Sequence, residues 1–131
     1  MTYREAINLG EKVLNMADVA DAKIDAWLLL EMVCKIDRSF YYLHMEDEVA
    51  EEQLSEYEIA LRKRAEHVPL QYIVGEAEFM GLKFKVNSNV LIPRQDTETL
   101  VEEALKVVKP GMKVLDMCTG SGCIIVSIVH N

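Results

Sequence analysis

The residues best suited to hold a ligand lie near the C-terminal end, where Asp116 precedes Cys118, Thr119, Gly120, Ser121 and Gly122. Val114, Leu115 and Met117 supply an apolar run, Gly120 and Gly122 break it, and Ile124, Ile125, Val126, Ile128 and Val129 resume it. The pattern reads as a buried strand, a glycine turn and then a helix. An acid in an apolar strand that feeds such a turn is the layout of a nucleotide-type cofactor site. Glycines let the backbone approach the ligand, and the first amides of the helix have no partners of their own. Open α/β sheets hold ligands at that end of their strands.

What is missing narrows the ligand. A dinucleotide fingerprint begun at Gly120 needs a small residue at position 125, where Ile125 stands, and a phosphate loop needs a lysine followed by Ser or Thr, which does not occur here. A pyrophosphate or triphosphate is therefore disfavoured. The order acid, small residue, glycine, glycine after an apolar strand resembles instead the first motif of S-adenosylmethionine (SAM) dependent methyltransferases. Cys118 stands where that pattern usually has glycine.

Several elements must position this loop. Thr2 and Glu5 have the spacing of a capping box, which predicts a helix from about Tyr3 to Met16. Asp18 or Asp21 can cap a second helix carrying Ala22, Ala26, Leu29, Leu30 and Val33 at helical spacing, with Trp27 buried. This second helix reads as the centre of a bundle. Asp37 caps a short third helix that reaches His44. A fourth follows with acids early, Arg62, Lys63 and Arg64 late, and Glu58 placed to pair with Arg62. His44 and His67 stand without a matched acid or cysteine, so nothing in residues 1–68 reads as catalytic. From Pro69 the period changes. Leu82, Phe84 and Val86 alternate with Lys83 and Lys85, and Met80-Gly81 predicts a hairpin turn. Val90-Leu91-Ile92 is a further short apolar run. After Pro93, Asp96 or Thr97 caps a helix with Leu100, Val101, Ala104, Leu105 and Val108 on one face, ended by Pro110-Gly111.

Composition sets the outer bounds. The chain has 131 residues, room for one ordinary domain or for a small one and part of another. Its net charge of −8 is concentrated: residues 1–68 carry 15 acids and 8 bases, and residues 69–131 carry 7 acids and 6 bases. An acidic first half disfavours direct binding to nucleic acid and suits a basic protein partner. No apolar run has the length of a membrane span, and three scattered cysteines fit a reducing cytoplasm better than disulfides or a zinc site.

Taken in order, Pro69-Leu70-Gln71-Tyr72-Ile73, Gly75, Phe79, Gly81, Phe84, Val90-Leu91-Ile92-Pro93-Arg94, Asp96-Thr97-Glu98 and Asp116-x-Cys118-Thr119-Gly120-Ser121-Gly122 resemble the PrmC/HemK family. Those proteins are SAM-dependent methyltransferases that modify the glutamine of the Gly-Gly-Gln loop in peptide chain release factors. The resemblance implies an N-terminal all-α helical bundle over residues 1–68 that recognises the release factor. It implies a β-hairpin linker over 69–93, and over 94–131 the start of an α/β Rossmann-like methyltransferase domain. It assigns SAM to Cys118, Thr119, Gly120, Ser121 and Gly122, with Asp116 orienting the loop, and to Pro93, Arg94 and Thr97, with Arg94 supporting the cofactor's carboxylate end.

The family's Asn-Pro-Pro-Tyr signature is absent, since none of Pro69, Pro93 and Pro110 follows an asparagine. No residue here is therefore expected to be catalytic. The apolar helix pattern runs to Asn131 without a stop signal, so the chain reads as truncated and inert alone, with its last segment disordered or paired with a second copy. The alternative reading is a helical protein-interaction module with a vestigial cofactor loop.

Overall fold

Thr2 and Glu5 close a reciprocal cap on α1 (Tyr3–Met16): the Thr2 hydroxyl accepts from the Glu5 amide at 3.2 Å, and the Glu5 carboxylate accepts from the Thr2 amide at 2.9 Å. Helix ends leave their first amides unpaired, and this exchange satisfies two of them. The computed structural model describes residues 1–131, and α1 opens the first of two units, Met1–Val74, the second being Gly75–Asn131.

In the first unit α1 is followed by α2 (Ala22–Cys34), α3 (Arg38–His44), α4 (Glu51–Ala65) and the one-turn α5 (Leu70–Val74). Helix α2 is the centre of the bundle. It packs on α1, α4 and α5, and it buries Ala22, Asp25, Ala26, Trp27, Leu29, Leu30 and Cys34, too many for a single face. Asp37 caps α3 by accepting from the Phe40 amide at 2.7 Å. Asp21 precedes α2 but makes no side-chain cap bond. Residues 70–74, expected in the linker, instead coil into α5, whose Leu70, Ile73 and Val74 pack on the bundle core.

Three helices meet where α1 offers no side chain. The Tyr57 hydroxyl donates to the Ala26 carbonyl at 3.0 Å, and a Cβ placed on Gly10 would stand 2.1 Å from that hydroxyl and 3.1 Å from the Ala26 Cβ. Burial pushes the Tyr57 phenol far above its ordinary value, so it stays a donor through the physiological range. Gly10→Ala gains up to about 1 kcal/mol of helix propensity but overpacks this crossing at a cost of about 1–3 kcal/mol. A lower urea midpoint is expected, and an unchanged or raised midpoint would show that Tyr57 swings aside freely.

Polar contacts in the bundle depart from expectation at two places. Glu58 and Arg62 do not pair; Arg64 instead reaches Asp25 on α2, its Nε donating to Oδ2 at 2.7 Å while its Nη1 donates to the Val68 carbonyl at 3.1 Å. His44 does have an acid, with its Nδ1 lying 2.7 Å from Asp47 Oδ2 and its ring stacked on Phe40. Both partners are set by tertiary placement or by a three-residue turn, which helical periodicity does not report.

In the second unit β1 (Glu76–Phe79) and β2 (Leu82–Lys85) pair antiparallel, with Glu76 opposite Lys85, Ala77 opposite Phe84, Glu78 opposite Lys83 and Phe79 opposite Leu82. Opposite charges face each other on the wet side, while Ala77, Phe79 and Phe84 are buried. Met80 and Gly81 form the turn with φ of 51° and 73°, the positive pair that a tight two-residue hairpin demands. Helices α6 (Gln95–Leu105) and α7 (Cys123–His130) complete the unit. Phe79, Phe84, Val101, Cys123 and Ile128 form its core.

The chain is thus mainly helical with one small antiparallel sheet. The strand expected over 113–117 does not form: residues 112–122 are turns and irregular backbone, and Leu115 and Met117 are 84% and 79% exposed. A strand needs a neighbour to bond to, and β1 and β2 bond only each other. Val90-Leu91-Ile92 is likewise irregular.

Candidate functional site

The glycine loop is held by bonds between its own residues. The Thr119 hydroxyl donates to Asp116 Oδ2 at 2.9 Å, and the Gly122 amide donates to the Thr119 carbonyl at 3.0 Å. Asp116 thus ties down the loop that follows it, and the Gly122 carbonyl then accepts from the Val126 amide to start α7.

Three loop residues have positive φ: Cys118 at 58°, Gly120 at 59° and Gly122 at 83°. For the glycines this is free, whereas for Cys118 a left-handed conformation costs about 1–2 kcal/mol. The backbone there suits glycine, the residue that the similar methyltransferase motif carries. A Cβ added at Gly120 would meet nothing within 4 Å, so that face of the loop opens on free space rather than on packed protein. Gly122 is the N-cap of α7 without a side-chain cap bond, which leaves first-turn amides open to a ligand. Ser121 beside it is half-buried.

Pro93, Arg94 and Thr97 stand together at the other helix start. Arg94 is the N-cap of α6, exposed and in no ion pair, and it makes no side-chain cap bond; Pro93 and Thr97 are half-buried, and the Thr97 amide donates to the Arg94 carbonyl at 3.1 Å. The expected caps, Asp96 and Thr97, therefore lie inside the first turn, because the helix begins at Gln95, two residues before the start that a cap at Asp96 would give. That shift leaves a second helix start uncapped beside a free guanidinium. Leu100, expected on the inward face, is 57% exposed, and Val101 takes the fully buried position.

Asp116, Thr119 and Gly122 are thus joined by hydrogen bonds, while no hydrogen bond links them to Arg94 or Thr97. What brings the two halves into one unit is packing. Helices α6 and α7 contact each other, and Val101 and Cys123 belong to one core with the hairpin's Phe79 and Phe84. Sequence reasoning gave Glu98 no role, yet its Oε1 accepts from the Met80 amide at 2.9 Å and joins α6 to the hairpin turn. Only its place in the first turn of a helix hinted that it was available. No group of His, Cys, Asp and Glu is arranged to hold a metal ion, and no helix is long and apolar enough to cross a membrane.

Comparison with known proteins covers both units. A family described as the PrmC N-terminal domain matches residues 5–75. The release factor glutamine methyltransferase of Clostridium acetobutylicum is 44% identical over 130 residues, covering 98% of this chain and 46% of its own length. The protein of the same name from Clostridium botulinum is 38% identical over 130 residues, with the same coverage. That of Geobacter sulfurreducens is 38% identical over 127 residues, covering 97% of this chain and 45% of its own length. The chain spans about half the length of the curated relatives it matches.

Proposed function

This chain belongs to the PrmC N-terminal domain family, and from that premise we propose that it serves a release factor glutamine methyltransferase. The reaction moves a methyl group from SAM to the side-chain amide of the glutamine in a release factor's Gly-Gly-Gln loop. The observation that carries the reading is likeness along nearly the whole chain, loop and hairpin included, to relatives bearing that name.

The residues present fit such a cofactor. Gly120 offers an open face that any Cβ would fill, the start of α7 offers unpaired amides, and Arg94 offers a guanidinium free of carboxylates. Arg94 would hold the carboxylate of the methionine moiety, Pro93 and Thr97 would line the same side, and residues 118–122 would pass beside the cofactor with Asp116 steadying them. When bound, SAM supplies a sulfonium methyl group open to in-line attack. An amide nitrogen is a poor nucleophile, so alignment must supply much of the acceleration. Residues 1–68, with 15 acids and 8 bases, would face the protein substrate rather than nucleic acid. The 131 residues contain no Asn-Pro pair to hold the substrate amide, so in this reading they bind and position but do not catalyse alone.

Mass spectrometry of a release factor incubated with SAM and a protein containing this chain tests the assignment. Methyl on the glutamine is expected, and methyl found only on nucleic acid would overturn it. In the same protein Gly120→Val should weaken SAM binding at least about tenfold, roughly 1.4 kcal/mol, by filling the open face. Unchanged affinity in calorimetry would remove the loop from the site.

A second reading, a helical interaction module whose loop holds no cofactor, draws on the exposure of Val114, Leu115 and Met117. Absence of any SAM binding in a protein containing this chain would favour it.

A further inference from the structure

We propose that Glu98 is a positioning residue for the cofactor: its carboxylate ties the hairpin turn to the start of α6 and so fixes where Arg94 and Thr97 stand. The proposal rests on the reading that those two residues line the SAM site.

Met80 and Gly81 fall between the last paired residues of the hairpin, Phe79 and Leu82, so the Met80 amide has no place in the ladder. A backbone donor left without a partner is costly away from water, and this one is half-buried. Glu98 Oε1 supplies the acceptor at 2.9 Å. Behind this contact Phe79, Phe84 and Val101 pack together. Such packing is adhesive but has little direction, and a helix can turn or slide on it by a fraction of a residue. A hydrogen bond to a charged acceptor has direction and is about twice as strong as a neutral one. It therefore sets the rotation of the first turn of α6, where no side chain caps the helix end. Glu98 adjoins Thr97 and follows Arg94 by one helical turn, so whatever orients Glu98 orients both.

Helix α7 shares this platform, since Cys123 and Ile128 pack into the same core as the hairpin. The hairpin is thus a common base for both halves of the site, and Glu98 is its polar fastening to one of them. What the fastening needs is an acceptor oxygen of the right length, to which the charge adds strength.

The experiment uses a methyltransferase containing this chain and compares Glu98→Ala with Glu98→Gln. In the alanine variant the KM for SAM should rise about tenfold with kcat nearly unchanged, as expected for one lost charge-assisted bond. Hydrogen exchange at the Met80 amide should speed up in parallel. The glutamine variant, which keeps a neutral acceptor oxygen at the same reach, should restore a large part of both. If Glu98→Ala does not fold, Glu98→Asp, one methylene short, carries the same comparison. A freed Met80 amide with an unchanged KM for SAM would overturn the positioning role, as would failure of glutamine to rescue. In either case a SAM defect in Gly120→Val would leave the cofactor site standing. Normal SAM binding in both Gly120→Val and Glu98→Ala would instead remove the cofactor reading, and this proposal with it.

Discussion

Arg64→Leu is expected to destabilise the helical bundle by about 3–5 kcal/mol, because it leaves the carboxylate of Asp25 buried without its cation. The Asp25 side chain is 8% exposed and that of Arg64 19%, and the 2.7 Å bond joins helices whose residues are far apart in sequence. Arg64 also holds the Val68 carbonyl, so the chain's exit from α4 loosens at the same time. Urea unfolding followed by the fluorescence of Trp27, the only tryptophan, measures the loss. Asp25→Leu added to Arg64→Leu should recover much of it, since removing both members of a buried pair is far cheaper than removing one. A loss below about 1 kcal/mol in the single variant would show that water reaches Asp25.

Trp27→Ala should cost about 3–5 kcal/mol, the range for deleting a large core side chain. Trp27 is 5% exposed, its ring meets Tyr41 edge to face with centroids 5.4 Å apart, and the Arg38 guanidinium sits 4.2 Å from its centre. Deletion removes an apolar body, an aromatic pair and a cation contact together. Far-UV circular dichroism in urea gives the stability. A midpoint close to the parent's would mean that Tyr41 and Arg38 collapse into the space, which two side chains tethered to the short α3 are poorly placed to do.

Local chemistry was legible in the sequence wherever it was self-contained. The box between Thr2 and Glu5, the Asp37 cap and the Met80-Gly81 turn each involve groups within a few residues of one another, and each stands where its spacing placed it. The central place of α2 was legible too, because Trp27 and its neighbours leave few polar positions on that helix. Contacts that close over long separations were not. Asp25 reads as an ordinary surface acid of the first turn until Arg64 arrives from α4. Val114-Leu115 has the composition of a strand, but pairing depends on a neighbour that its own residues cannot specify, and here the run is exposed. At the candidate site the glycines and Asp116 could be picked out from their order alone. The tie between Asp116 and Thr119, the early start of α6 and the grip of Glu98 on Met80 are matters of backbone direction, which residue types do not encode.

The three cysteines differ in a way of practical use. Cys34 and Cys123 are buried, and burial raises the Cys34 thiol above its ordinary value, further from the reactive thiolate. Cys118 alone is exposed, at the left-handed bend of the glycine loop. A maleimide dye would therefore attach at one address without any engineered cysteine, and its emission would report directly on what happens at the loop.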